Sequence, residues 1–163
     1  MVTHYSAVGY QPKASSGYLV RRASTLIISR VETAFSVHEI SFVQWLALVY
    51  LRDGMARTAA ELCRELCYDS GALTRLIDQL CERGFIERER STQDRRIVAL
   101  NLTAAGRGSV ESLTPLVVSC LNAALADFTS EEVETLARLL EKLLAGIAAA
   151  PNPNLSKQTE SSQ

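Results

Sequence analysis

The stretch DSGALTRLIDQLCERGFIERERSTQDRRIVALNLT, residues 69–103, constrains this chain more than any other part of it. Asp69 stands where an N-cap belongs, and Leu73, Leu76, Ile77 and Leu80 follow at helical spacing on one face. That face is core. Ser70, Ala72, Thr74, Arg75 and Asp78 point elsewhere, giving a small, polar surface from which one arginine reaches outward. Gly84 ends the helix, because the position past a helix end often needs the positive φ that glycine adopts cheaply. Two β-prone runs, Phe85–Arg90 and Arg96–Leu102, are joined by the short polar link Ser91–Arg95. A helix, a glycine and a charged hairpin in this order spell a winged helix-turn-helix.

The flanking chain is helical. From Tyr18 to Phe35 the apolar positions Leu19, Ala23, Leu26, Ile27, Val31 and Ala34 step by three and four and write a helix with one broad buried stripe. Ser41…Gln44 reads as a capping box opening a second helix, whose inward face is Phe42, Trp45, Leu46, Val49 and Tyr50 and which ends near Asp53–Gly54. Thr58…Glu61 is a second box, opening a short helix through Leu62 and Leu66. This helix and the one from Ser70, joined around Cys67–Asp69, form the helix-turn-helix pair. Beyond the wing, Thr103 caps a long helix to about Asp127. Pro115 inside it predicts a kink or two shorter helices. Thr129…Glu132 is a third box, and its helix carries Val133, Leu136, Ala137, Leu140, Leu143, Leu144 and Ile147 on one stripe.

The runs LTRLIDQLCERGFIER, DRR and LNLTAAGR resemble the signature block of the multiple-antibiotic-resistance regulator (MarR) family. There a recognition helix is followed by a wing with Asp-x-Arg and then Leu-Thr-x-x-Gly. The helical pattern on both sides extends the resemblance over about residues 18–148. The fold expected is mainly α with a small β-wing: a winged helix-turn-helix of about six helices. Residues 1–15 read as a flexible arm, 16–150 as a single unit and 151–163 as a disordered tail. Within that unit, helices of about 18–36 and 104–149 make a homodimer and residues 41–103 form the winged lobe. The long apolar stripes of the terminal helices would be exposed in one chain, which favours a partner subunit over the alternative of a monomeric bundle.

These features point to a sequence-specific binder of double-stranded DNA that reads a palindromic operator as a homodimer, and the resemblance implies a transcriptional regulator, expected to be a repressor. Ser70, Ala72, Thr74 and Arg75 lie where side chains meet base edges and a helix N-terminus meets phosphate. Arg75 is the best single reader; its plainer account is a surface arginine paired with Asp78 or Glu82. In the wing, the resemblance implies that Arg96 enters the minor groove and Asp94 orients the hairpin, with Arg95 an added cation. The plainer account of the two arginines is a solvated hairpin tip.

The resemblance also implies release from DNA by a small, often aromatic and acidic, effector. Arg21 and Arg22 could pair with its carboxylate, while Tyr18, His38, Trp45 and Tyr50 could line an aromatic pocket. Each has a duller role: Trp45 is at core spacing, His38 is a loop residue, and an arginine pair is usually a solvated face. Some members of the family sense oxidation through a cysteine near the first helix, where this chain has none. Cys63 and Cys67, one helical turn apart, are the redox candidates, with burial beside Leu62 and Leu66 the simpler account. Cys81 is expected on the buried edge of the recognition helix and Cys120 in the dimer core. An oxidation-sensing regulator of the same fold and a winged protein-interaction module without DNA binding are the alternatives.

Composition bounds the rest. The 163 residues, 47% of them hydrophobic, are the size of one domain. The net charge of −1 argues against a nucleic-acid binder taken alone, because phosphate neutralisation supplies most non-specific affinity. Placement answers this: two arginines sit at the hairpin tip, while the acids fall on the strands and the helix end. There is no signal-peptide pattern and no apolar run of the about 18 residues a membrane span needs, so a cytoplasmic location is expected. His4, His38 and the four cysteines match no zinc spacing. With no nucleophile elbow, phosphate-cradling glycine loop or metal set, neither an enzyme nor a cofactor is expected.

Overall fold

The computed structural model describes residues 3–90 and 98–150. The described elements are a 3-10 turn at Pro12–Ala14, then α1 (Ser16–Phe35), α2 (Phe42–Arg52), α3 (Ala59–Glu65), α4 (Ser70–Glu82), β1 (Ile86–Arg90), β2 (Val98–Leu102), α5 (Ala104–Ala124) and α6 (Ser130–Ala149). This is the mainly α winged helix-turn-helix expected. Packing divides the chain into two units, Met1–Ala124 and Leu125–Gln163.

In the first unit, α1 and α2 pack on α5, and α3 packs on α4. The core gathers Val31 and Phe35 from α1, Leu48 from α2, Leu62 from α3, four residues of α4, and Val110, Leu113 and Val117 of α5. The apolar stripe predicted for α1 is buried only at its C-terminal end. Val31 and Phe35 are inside, whereas Leu19 and Leu26 are each more than half exposed. Of the face expected inward on α2, Trp45 is buried while Phe42, Leu46, Val49 and Tyr50 are half-buried, and Ala47 and Leu48, not expected there, are fully buried. The reason is that α2 lies among α1, α5 and β2 and is covered on several sides, so a one-face rule undercounts it.

Two of the three expected capping boxes close as written, at Ser41–Gln44 and Thr129–Glu132. In the other, Thr58 accepts from Glu61 N, but the Glu61 carboxylate accepts from Arg57 N, one residue before the cap. The α3–α4 connection turns at Cys67, whose φ of +49° lies in the left-handed region. Asp69 then caps α4 by accepting from Gly71 N and Ala72 N, both at 3.0 Å. Gly84 has the expected positive φ, +70°.

The strands pair antiparallel, Ile86 opposite Leu102 and Arg90 opposite Val98. A third short partner, absent from the sequence reading, lies on the edge of β2. Thr58 bridges Ala99, and Leu100 N donates to Arg57 O at 2.8 Å. The hydroxyl of Thr103 caps α5 at Gly106 N. Pro115 does not divide α5, which runs unbroken to Ala124 rather than Asp127. The proline removes the amide that would donate to the carbonyl of Glu111, an exposed residue. In the second unit α6 has no buried residue, and Leu144 and Ile147 are each more than 60% exposed.

Candidate nucleic-acid interface

Four buried residues fix α4 to the core: Leu73, Leu76, Ile77 and Leu80. Its rotation is thereby set. Ser70, Thr74 and Arg75 are exposed, and Ala72 is half-buried. The Thr74 hydroxyl donates to Ser70 O at 2.9 Å. Its proton is thus used within the helix, and its oxygen faces outward as an acceptor. Two of the free amides at the α4 N-terminus are already used by Asp69, which leaves less of the helix end open to an anion than the bare sequence suggests.

Among the described residues Arg75 has no ion-pair partner. The carboxylate that the sequence offered to it, Asp78, pairs instead with Arg88 on β1. This bond raises the Arg88 guanidinium above its ordinary value. The far end of α4 is also held. Arg83 donates to Glu39 O and stacks over the Phe85 ring at 4.8 Å, while Gln44 Nε2 on α2 donates to Gln79 Oε1 at 2.9 Å. None of these ties was read from the sequence, because each joins residues brought together only by the fold. The wing residues Asp94, Arg95 and Arg96 lie outside the described residues.

The six residues proposed for an effector do not gather at one site. Tyr18, Arg21 and Arg22 line a shallow cavity of about 90 Å³ on α1 with Thr25 and Leu26. His38 is exposed in the turn after α1, its amide donating to Phe35 O. Trp45 is buried, stacked on Phe42 and edge-on to Phe35, and its Nε1 has no partner among the described residues. Tyr50 is half-buried, and burial raises its phenol above the ordinary value. All four cysteines are free. Cys63 is half-buried and donates to Tyr68 O at 2.9 Å, but Cys67 is exposed rather than buried beside Leu62 and Leu66, because the chain turns at its positive φ, and its thiol lies against Arg64 O at 3.7 Å. No helix among the described residues is long and apolar enough to cross a membrane.

Comparison with known proteins follows the same lines. The model of the MarR family matches residues 40–98, from the end of the α1–α2 connection into β2. The multiple antibiotic resistance protein MarR of Escherichia coli is 36% identical over 107 residues, which are 65% of this chain and 74% of that protein. A crystal structure of a mutant of that MarR complexed with operator DNA superposes with a TM-score of 0.71 at 31% identity, covering 78% of this chain and 92% of that one. The structure of a probable transcriptional regulator from Pseudomonas aeruginosa gives 0.72 at 26% identity, covering 82% and 99%.

Proposed function

The chain belongs to the MarR family, and from that premise we propose that it is a repressor that binds a palindromic operator as a homodimer and leaves it when a small effector binds. The observation that carries the DNA reading is the exposed face of α4. Ser70, Thr74 and Arg75 stand together on a helix whose other side is locked in the core. Arg75 can donate two parallel hydrogen bonds to a guanine edge in the major groove, and Thr74 can accept from an exocyclic amine. The family resemblance adds Asp94 and Arg96 in the wing, with Arg96 in the minor groove and Arg95 beside it. That a similar protein is solved in complex with operator DNA supports the DNA-binding reading.

Dimerisation rests on the terminal helices. Leu19 and Leu26 of α1, Val118 and Leu121 of α5 and the stripe of α6 are apolar and exposed in the single chain. Surfaces of this kind bury themselves against a partner. A two-fold dimer would present two α4 helices about one turn of DNA, ~34 Å, apart. For the effector, Tyr18, Arg21 and Arg22 form the best-gathered set, two guanidiniums beside a phenol, suited to an aromatic carboxylate.

Sedimentation of the protein with and without a labelled operator duplex, repeated over a range of salt, tests the reading. Two chains in solution, two on each duplex and a log affinity that falls linearly with log salt are expected. A monomer, or binding indifferent to salt, contradicts it.

A further inference from the structure

We infer that the cavity at the base of the wing is a binding site for a small hydroxylated organic anion, a sugar acid or a sugar phosphate. The site is separate from the α1 arginines and from the α4 face. It measures about 670 Å³ and is bounded by the end of α2, the α2–α3 turn, both strands and the first turn of α5. That volume is ordinary for a small-molecule site.

The walls are fixed by the fold. The α2–α3 turn is tied to β2 through Leu100 N to Arg57 O and the Thr58–Ala99 bridge. The first turn of α5 is pressed onto the strands so closely that a Cβ on Gly106 would lie 2.2 Å from Phe85 O. Ala56, also lining the cavity, is 2% exposed. The cavity is therefore built before any ligand arrives.

Its chemistry is two-sided. Arg57 and Arg107 reach it from different elements, and among the described residues neither has an ion-pair partner. Two guanidiniums call for an anion. Strand alternation supplies the other side: Ile86, Arg88, Leu100 and Leu102 share the core face, so Glu87 and its cross-strand partner Asn101 lie on the opposite one. Asn101 Nδ2 already donates to Glu89 at 2.7 Å, which leaves its carbonyl oxygen as an acceptor beside the Glu87 carboxylate. Acceptors call for donors. A hydroxylated anion meets both requirements. A bare phosphate or a nucleic-acid backbone would place like charge against Glu87, and a neutral sugar would leave the guanidiniums uncompensated.

Amide chemical-shift titration of the full chain tests this with gluconate and glucose 6-phosphate as probes, and glucose and inorganic phosphate as controls. Saturable shifts at Gly54, Ala99, Asn101 and Arg107 are expected for at least one probe, with a Kd of about 1 mM or below. Both controls should bind at least tenfold more weakly. Arg57→Gln and Arg107→Gln, both at exposed positions, should each weaken the probe at least fivefold, whereas Arg30→Gln, exposed on α1, should leave it unchanged. Which probe binds separates a carboxylate from a phosphate ligand. Failure of both probes, equal binding of inorganic phosphate, or shifts gathered at Tyr18–Leu26 would overturn the assignment. So would a reduced salt slope of duplex binding in the Arg57→Gln/Arg107→Gln protein without probe binding by the parent, because the arginines would then serve a phosphate backbone. Since the titration needs no DNA, its outcome is independent of the operator reading.

Discussion

Asp78 on α4 and Arg88 on β1 form the one ion pair that joins two elements among the described residues; the other two pairs, Arg52–Asp53 and Arg64–Glu65, link chain neighbours. The pair ties the helix proposed to read bases to the first strand of the wing. Alternation puts Arg88 on the same face of β1 as Ile86, so the strand is tied to α4 from the side that packs on it.

Breaking that tie should affect binding more than stability. Both side chains are about half exposed, so Asp78→Asn should cost only about 0.5 kcal/mol of folding free energy. Operator affinity should nevertheless fall several-fold, because the wing and α4 would no longer hold a common position. The charge exchange Asp78→Arg/Arg88→Asp should recover part of the loss. Thermal melting beside operator titration measures both, and affinity unchanged in Asp78→Asn would show that the pair does not position the wing.

Gly106 should not tolerate alanine. Its Cβ would meet the Phe85 carbonyl oxygen at 2.2 Å and Leu102 Cδ1 at 2.6 Å, and the first of these is backbone that cannot rotate away. Overpacking of this kind costs about 3 kcal/mol. Urea unfolding should show a lower midpoint for Gly106→Ala, while Gly108→Ala, with open space around it, should match the parent or exceed it.

Leu48, at 0% exposure, distinguishes a helix covered on several sides from one with a single inward face. Leu48→Ala should destabilise the fold by about 3 kcal/mol. A loss below about 1 kcal/mol would place Leu48 at a yielding edge of the core.

Glu132 carries an acid-sensitive cap. The Thr129 backbone amide and hydroxyl donate to its carboxylate and hold it below its ordinary value. A depressed folded pKa contributes stability that is present above the unfolded value and lost as pH falls through the folded one. The cap on α6 should therefore weaken progressively as pH falls below the ordinary glutamate range. Circular dichroism of the parent and Glu132→Gln should converge over that range. Parallel curves would show that the cap does not titrate with α6.

Much of this was legible because it is local. The period of Leu73, Leu76, Ile77 and Leu80, the glycine at 84 and the capping boxes are written within a few residues of where they act. What escaped the sequence depends on the assembled fold. Asp78 was set against Arg75 on its own helix, but the nearer cation comes from β1 ten positions later. The Thr58–Ala99 bridge is a single pairing with no periodicity to announce it, and residue spacing does not show that Glu61 takes the Arg57 amide in place of the Thr58 amide. The effector set was assembled from residue types and their expected nearness to one cleft. The structure gathers Tyr18, Arg21 and Arg22 but puts Trp45 in the core, since its spacing served packing first.

The most direct test of the central claim is selection from random double-stranded DNA at near-physiological salt, with the parent and Arg75→Ala proteins side by side. Enrichment of an inverted repeat with half-sites about one helical turn apart, lost in Arg75→Ala, is the predicted result. No enriched sequence, or the same repeat selected by both proteins, would contradict a dimer that reads its operator through α4.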